Sequence, residues 1–171
     1  MASSSYAGLT LALLLPLGAA AQERLDHRGS VGLLIGTGLE VQEGLSGNVR
    51  EGGLRTLLDV GGTIAVDYAG NELMALARAG FGGPAINWTA IGGYRGYFGV
   101  DAWKTFFDLG IAAHFTPAFT IGPRVGFGVQ YELGSLAGLY LGAAAQLSGG
   151  NGFRFSGEVV GGIQLRSYLL E

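Results

Sequence analysis

Apolar and polar residues alternate with a period of two along most of the chain after residue 29. Within residues 31–42 the odd-numbered positions are Val, Leu, Ile, Thr, Leu and Val, whereas the even-numbered positions carry Gly, Leu, Glu and Gln. Successive side chains of a β-strand point to opposite sides, so this alternation gives a strand one apolar face and one mixed face. An α-helix would scatter both sets around its circumference. Residues 31–42 are therefore predicted to form a strand.

Seven further segments repeat this alternation, and short connections separate most of them. They span residues 54–67, 72–82, 86–98, 103–115, 119–133, 136–147 and 153–169. An even number of amphipathic strands is typical of a transmembrane barrel, in which a tilted strand needs about 9–11 residues to cross the hydrocarbon. The sequence thus predicts an all-β, eight-stranded, antiparallel up-and-down transmembrane β-barrel. Pro123 removes a ladder donor inside the sixth segment, so we expect a local irregularity there.

The composition agrees with a membrane protein that crosses the bilayer with strands. The chain has 171 residues, of which 33 are Gly, 49% are hydrophobic and only 13% are charged. Soluble proteins carry about 25% charged residues. After residue 21 no apolar run reaches the roughly 18 residues of a membrane helix. A closed barrel is the other structure that satisfies its own backbone in lipid.

Charge indicates which face of the predicted barrel points outward. The apolar face carries no charged residue in any of the eight segments. Lipid requires such an absence, because a charge at mid-bilayer costs about 2–4 kcal/mol. The opposite face is therefore predicted to line the lumen. Its charge network contains Glu40, Arg55, Asp59, Asp67, Glu72, Arg78, Arg95, Lys104, Asp108, Arg124, Glu132, Arg154, Glu158 and Arg166.

Aromatic residues of the apolar face gather near the ends of the segments, around an aliphatic middle. Two such groups are typical of the aromatic girdles of membrane barrels. The predicted girdles contain Trp88, Phe115, Phe119, Phe153 and Phe155 at one end, and Tyr94, Phe98, Trp103 and Tyr131 at the other. The alternative is a secreted, soluble lipocalin-like barrel that binds a small apolar ligand, and it would turn the apolar face inward.

The lumen of an eight-stranded barrel is only wide enough to be filled by side chains. Balanced acids and bases in such a space are expected to pair, because an unpaired buried charge is costly. We therefore expect a largely closed lumen. A narrow channel for small solutes or ions is the alternative, since glycines on the inner face leave volume for water. These glycines are Gly32, Gly36, Gly38, Gly61, Gly93, Gly110, Gly122, Gly126, Gly128, Gly138, Gly142 and Gly162.

The sequence carries little that indicates enzymatic or metal chemistry. Cysteine is absent, which excludes a disulfide, a thiolate nucleophile and a Cys-based metal site. His27 precedes the first strand, and His114 lies on the inner face with Thr120 and Arg124 as its nearest candidate partners. We therefore predict no enzymatic activity, no metal site and no cofactor. A pI near 5.3 argues against a nucleic-acid partner.

The ends and the first connection carry signals of their own. Residues 8–21 form a short apolar run that ends in three alanines, as signal peptides do before their cleavage site. The predicted organisation is a signal peptide over residues 1–21, cleaved after Ala21, a periplasmic linker over residues 22–29, and the barrel over residues 30–171. Residues 43–53 are polar and rich in Gly, and they are predicted to form an exposed, flexible loop.

These features resemble the small eight-stranded outer-membrane proteins of Gram-negative bacteria, namely the OmpA-type transmembrane domain and its OmpX-like relatives in the porin-like superfamily. Residues 103–110, Trp-Lys-Thr-Phe-Phe-Asp-Leu-Gly, are one segment that carries the resemblance. It implies an outer-membrane location, contact with lipid, and assembly by the barrel-insertion machinery. That machinery reads a terminal aromatic residue in this family, and Tyr168 is the aromatic residue nearest the end here.

The expected function is a structural or interaction role in the cell envelope, carried out by a monomer with a salt-bridged lumen. An even strand count returns the chain to its starting side, and short turns usually face the periplasm, so both termini are predicted to be periplasmic.

Overall fold

The computed structural model describes residues 30–46, 49–66, 71–99 and 101–168. The predicted signal peptide and linker, with His27, lie outside the described residues, as does Asp67. The side chain of Tyr168 is outside them as well. No helix in the described ranges is long and apolar enough to cross a membrane.

Eight strands close into one barrel, in which each strand pairs with its neighbours in the sequence and the last pairs with the first. All eight pairings are antiparallel. The predicted all-β, antiparallel up-and-down barrel is therefore confirmed. The strands are β1 (Ser30–Ser46), β2 (Val49–Ala65), β3 (Glu72–Phe81), β4 (Asn87–Phe98), β5 (Trp103–His114), β6 (Thr120–Glu132), β7 (Ala137–Gly150) and β8 (Gly152–Tyr168).

The register of the pairings tilts the strands and sets the width of the barrel. A path around the barrel through paired residues starts at Gly32 and returns to β1 at Gln42, ten residues further along. The residues on that path are Thr63, Met74, Gly93, Gly110, Arg124, Gln146 and Ser156. Because strand number and stagger together determine the diameter, eight strands leave an interior that side chains fill.

The two ends of the barrel differ in which connections they hold. We call the end where β1 turns into β2 the loop end, and the end where β1 starts and β8 finishes the terminal end. β1, β2 and β8 have 17 residues each, whereas β3 has 10 and β4 has 12. The long strands extend at the loop end, since β2 begins to pair with β3 only at Thr56, opposite Phe81.

The outer surface is apolar and the inner surface carries the charge. On the outside, Leu39, Leu58, Leu109, Val125 and Leu141 are between 46% and 55% exposed. On the inside, the thirteen described charged residues of the predicted network are all buried. The alternative of a soluble lipocalin-like barrel is therefore wrong. Such a barrel would need a polar exterior and an apolar pocket.

The predicted flexible loop over residues 43–53 is also wrong. β1 continues to Ser46, and it pairs there with Val49 of β2 and with Gly152 of β8. Residues 43–46 are part of β1, which pairs along its whole length with β2 on one side and β8 on the other. Residues 49–53 are part of β2, and they pair with β1. A polar, Gly-rich composition suggested a loop. Strands that extend past the apolar belt have the same composition.

Pro123 interrupts the sheet as expected, but only on one side. It faces Ile111 in the pairing of β5 with β6. In the pairing of β6 with β7, matched residues stop at Ile121 and resume at Arg124. The loss of the proline donor therefore opens the ladder locally, while β6 remains a single strand from Thr120 to Glu132.

Several inward glycines make room for rings and for neighbouring backbone. A Cβ placed on Gly36 would lie 2.2 Å from the Tyr140 hydroxyl, and one on Gly128 would lie 2.4 Å from the Phe106 ring. At Gly162 the carbonyl oxygen of Ile35 would be 2.2 Å away. At these three positions the space is taken by rings and backbone from other strands. Gly142, by contrast, lines a small cavity of about 20 Å³ inside the barrel.

A positive charge placed on the lipid face should destabilise the barrel according to its depth. Val125 lies in the middle of β6, opposite Leu109 and Ala145, whereas Leu133 follows the end of that strand. We expect Val125→Arg to lower the free energy of unfolding by about 2–4 kcal/mol and Leu133→Arg by about 0–1 kcal/mol. Urea unfolding in lipid vesicles measures both values. Equal losses would contradict the orientation of the outer face.

Candidate functional site in the barrel lumen

Inward side chains form three polar clusters along the barrel axis. The middle cluster consists of Asp59, Arg78, Arg95, Asp108, Arg124 and Glu158. The terminal-end cluster consists of Glu72, Tyr97, Lys104, Gln130, Glu132, Gln164 and Arg166. The loop-end cluster consists of Glu40, Gln42, Arg55, Thr89, His114, Gln146 and Arg154. Apart from Tyr97, which is half-buried, all of these side chains are buried.

Glu158 is the centre of the middle cluster. Arg78 binds Asp59 on the adjacent strand through two hydrogen bonds of 2.7 Å each. The same guanidinium crosses the lumen to donate to both carboxylate oxygen atoms of Glu158. Arg124 approaches Glu158 from β6, and its Nη2 donates at 2.5 Å. One carboxylate of β8 therefore joins arginines of β3 and β6, with charge-assisted bonds that are stronger than neutral ones.

Arg95 and Asp108 form a second bidentate pair in the same cluster. They face each other in the register of β4 and β5. The Arg95 Nε atom donates to Asp108 Oδ1 at 2.7 Å, and its Nη2 atom donates to Asp108 Oδ2 at 2.9 Å. The guanidinium also lies 4.0 Å from the centre of the Phe106 ring, which is a cation–π contact. Cross-strand neighbours of opposite charge thus fix their own partners.

Tyr97 lies at the centre of the terminal-end cluster. Its hydroxyl oxygen is 3.1–3.2 Å from the side chains of Glu72, Gln130 and Gln164. Gln164 donates to both oxygen atoms of Glu72, at 2.8 and 2.9 Å. Arg166 then joins the two acids of this cluster. Four strands therefore meet around one phenol ring near the point where the chain enters and leaves the barrel.

Arg166 and Lys104 balance the charge of the terminal-end cluster. The Nη1 atom of Arg166 donates to Glu132 at 2.7 Å, and its Nε atom donates to Glu72 at 3.3 Å. The Lys104 ammonium lies 3.9 Å from Glu132. Two bases therefore face two acids, and Gln130 donates a further hydrogen bond of 2.9 Å to Glu132.

His114 is held by three side chains in the loop-end cluster. Its Nδ1 atom is 2.8 Å from Thr89 Oγ1 and 2.8 Å from the Nη1 atom of Arg154. Arginine can only donate, so Nδ1 is an acceptor and Nε2 carries the ring proton. Nε2 contacts the amide nitrogen of Gln146, and the amide turned by 180° would present its oxygen, which can accept a hydrogen bond from that ring N–H. Both ring nitrogens are therefore engaged.

The residues considered as catalytic partners of His114 are bonded elsewhere. Thr120 faces His114 across the β5–β6 pairing, but its hydroxyl accepts a hydrogen bond from Ser148 at 3.3 Å. Arg124 binds Glu158 in the middle cluster. The contacts of His114 include the Thr89 hydroxyl, Arg154 and Gln146, and none of these three side chains is the carboxylate that orients the histidine of a hydrolytic triad. In the described part of the chain, His, Cys, Asp and Glu form no group of three or more that could hold a metal ion.

Arg55 and Glu40 are neighbours in the β1–β2 register but do not form a hydrogen bond. Arg55 instead donates to the carbonyl oxygen of Ala85 at 3.1 Å. Its Nε and Nη2 atoms point at the carboxamide of Gln42, whose oxygen accepts from them at 3.1 and 3.2 Å. Glu40 is buried beside Glu158 in register, and its Oε2 atom has no hydrogen-bond partner.

Not every inward position of the strands is polar. Leu34, Leu57, Ile91 and Ala112 point inward and are at most 2% exposed. Each occupies a position with the same parity as inward polar residues of its strand. In the sequence, an apolar residue at such a position is the signal for an inward apolar side chain.

Most of the predicted girdle residues lie towards the two ends of the outer surface, whereas Tyr94 faces Leu109, in the same row of paired residues as Val125. At the loop end, Phe115 and Phe119 pack with ring centres 6.1 Å apart. At the terminal end, Trp103 packs against Tyr131 at 4.8 Å. The exposed girdle side chains are Trp88, Phe98, Trp103, Phe115, Phe119, Phe153 and Phe155, whereas Tyr94 and Tyr131 are half-buried.

Comparison with known proteins shows similarity at the level of the fold. No protein-family model matches the chain, and no curated protein matches it. A designed transmembrane β-barrel is similar in structure, with a TM-score of 0.54 and 13% identity over 82% of this chain and 97% of that chain. Neisserial surface protein A has a TM-score of 0.53 and 14% identity over 81% and 99% of the two chains.

The N-terminal β-barrel domain of Pseudomonas aeruginosa OprF is similar to the same degree. Its TM-score is 0.53, with 12% identity over 80% of this chain and 98% of that chain. Identities this low show the fold alone. The chain thus has the fold of the small eight-stranded transmembrane barrels, as the resemblance in its sequence implied.

Loss of the Glu158 charge should strongly destabilise the barrel. Glu158→Gln leaves Arg78 and Arg124 without the carboxylate that they share, and breaking a buried ion pair costs about 3–5 kcal/mol. The measurement is the free energy of unfolding in urea. The control is Asp101→Asn in an exposed connection, which should change it by less than about 0.5 kcal/mol. Similar values for the two variants would show that the middle cluster contributes little.

Proposed function

We propose that this protein is an integral outer-membrane β-barrel protein with a largely closed, salt-bridged lumen, and that it has a structural or interaction role in the cell envelope. The observation that carries the proposal is the combination of an apolar exterior with an interior of buried charges, most of which are paired. Burying so many charged side chains is tolerable only where partners and hydrogen bonds replace water.

The outer surface supports the membrane location. Large apolar side chains ring the middle of the barrel, and the aromatic residues lie towards both ends. Indole and phenol rings favour the interface between hydrocarbon and headgroups. The similar fold of Neisserial surface protein A and of the OprF barrel domain also supports an outer-membrane location. Export would use the signal peptide of residues 1–21, cleaved after Ala21.

The packing of the lumen supports a closed barrel over a narrow channel. The terminal-end cluster draws Glu72, Tyr97, Glu132 and Arg166 together by hydrogen bonds across the bore. In the middle, Arg78 reaches from β3 to Glu158 on β8. An ion that passed would have to break these pairs, at the cost of unpaired buried charge.

The partners proposed for the protein follow from its surface. Outer-membrane lipid would contact the apolar belt and the girdles. The barrel-insertion machinery would assemble the protein, which we propose to be a monomer without nucleic-acid, metal or cofactor partners. Both termini of the barrel are at one end, and we place that end in the periplasm.

Location is tested by fractionation and by gel mobility. We expect the protein in the outer-membrane fraction, released by detergent and retained after a high-salt wash, because its surface is apolar. Closed barrels resist detergent unfolding, so an unboiled sample should migrate differently from a boiled one. Recovery in the soluble periplasmic fraction without detergent would contradict the proposed location.

The closed lumen is tested in planar lipid bilayers. The purified protein should give no large, steady conductance, since its interior is occupied by paired side chains. A general porin in the same bilayer shows that insertion and pore formation are detectable. Steady conductance from the folded protein would exclude the closed lumen and favour the narrow channel.

A further inference from the structure

A small cavity lies in the middle of the barrel, within the middle cluster. Its volume is about 20 Å³. Polar groups on its wall come from Asp59, Arg95, Asp108, Arg124, Tyr140 and Glu158, and the remaining wall includes Leu34, Phe106 and Val160. A water molecule needs about 10–15 Å³ measured in this way, together with two to four polar partners. The cavity thus has the size and the lining for one water.

Two donors beside this cavity have no acceptor in the protein. The Nη1 atoms of Arg95 and Arg124 are fully buried and make no hydrogen bond, although both guanidiniums donate elsewhere through their other nitrogens. Both residues line the cavity. A buried N–H group without an acceptor is costly, especially on a charged side chain. Two such groups at one cavity point to an acceptor between them.

The gap between Arg124 and Asp108 has the length that a bridging molecule leaves. Arg124 Nη1 and Asp108 Oδ2 are 3.7 Å apart, which is too far for a direct hydrogen bond. A polar contact longer than 3.5 Å is commonly bridged by water. A water here could accept from Arg124 and donate to Asp108.

Charge around the cavity selects water over an ion. The lining contains three carboxylates and two guanidiniums, and the third guanidinium of the cluster, Arg78, binds Asp59 and Glu158. The cluster is therefore balanced. A halide would accept from the arginines but would face Asp108 and Glu158, whereas a cation would face unpaired N–H groups. Water alone both accepts from the arginines and donates to the carboxylates.

We propose that this cavity is a binding site for a single water molecule, which accepts hydrogen bonds from Arg95 and Arg124 and donates to Asp108. The water joins the Arg95–Asp108 pair to the group of Asp59, Arg78, Glu158 and Arg124. The middle cluster then becomes one hydrogen-bonded network that connects β2, β3, β4, β5, β6 and β8. Most of the residues around the cavity are buried, so exchange of this water with bulk water would be slow.

The direct test is a high-resolution crystal structure of the barrel grown with bromide. The expected result is an ordered water within hydrogen-bond distance of Arg95 Nη1, Arg124 Nη1 and Asp108 Oδ2, without anomalous signal. An empty cavity, or an anomalous peak that shows bromide, would overturn the proposal. Neither outcome depends on conductance, so the water site and the closed lumen can fail separately.

A matched pair of variants tests the site in solution. Val160 lines the cavity, whereas Val159 is exposed on the lipid face. Val160→Ile adds a methyl group next to the water, and Val159→Ile adds the same group outside. We expect ¹⁷O magnetic relaxation dispersion to show one long-lived water fewer in Val160→Ile and no change in Val159→Ile. Equal numbers of long-lived waters in both variants and the original protein would contradict the assignment.

Discussion

Backbone hydrogen bonding in hydrocarbon is the constraint on which this structure depends. Lipid offers no partner to an N–H or C=O group, so each strand inside the membrane must be paired on both edges. Pairing β8 with β1 meets that demand, and it encloses an interior that is narrow and shielded from solvent. Every inward side chain then has to fit and, if polar, to find a partner there. The ion pairs of the lumen are thus a consequence of closure.

Register links the backbone to those ion pairs. Asp59 faces Arg78 in the β2–β3 pairing, and Arg95 faces Asp108 in the β4–β5 pairing. A slip by one residue in either pairing would turn one member of the pair towards lipid, because side chains alternate between faces. Charges buried inside and apolar residues exposed outside therefore favour the same register. The two sets of interactions reinforce each other.

The sequence was sufficient to predict the number of strands, the face on which each residue lies and the closure of the barrel. Period-two alternation indicates directly which side of a strand each residue faces. It did not show which acid meets which base across the lumen. Arg78 reaches Glu158 only because the strands are tilted, and this tilt results from the registers of all eight strand pairings. The continuation of β1 from Glu43 to Ser46 was not predicted, because its polar, Gly-rich composition is also typical of a loop. The contact of Tyr140 with Gly36 could not be predicted either, because it joins two different strands.

Glu158 has a further consequence, for the order in which the chain is completed. It belongs to the last strand, yet its partners Arg78 and Arg124 belong to the third and sixth strands. An unfinished sheet of seven strands offers Arg124 no such carboxylate and leaves Arg78 with Asp59 alone. The interior therefore reaches electrical neutrality at its centre only when the final strand is in register. The ion pairs at the centre of the lumen therefore form completely only in a correctly completed barrel.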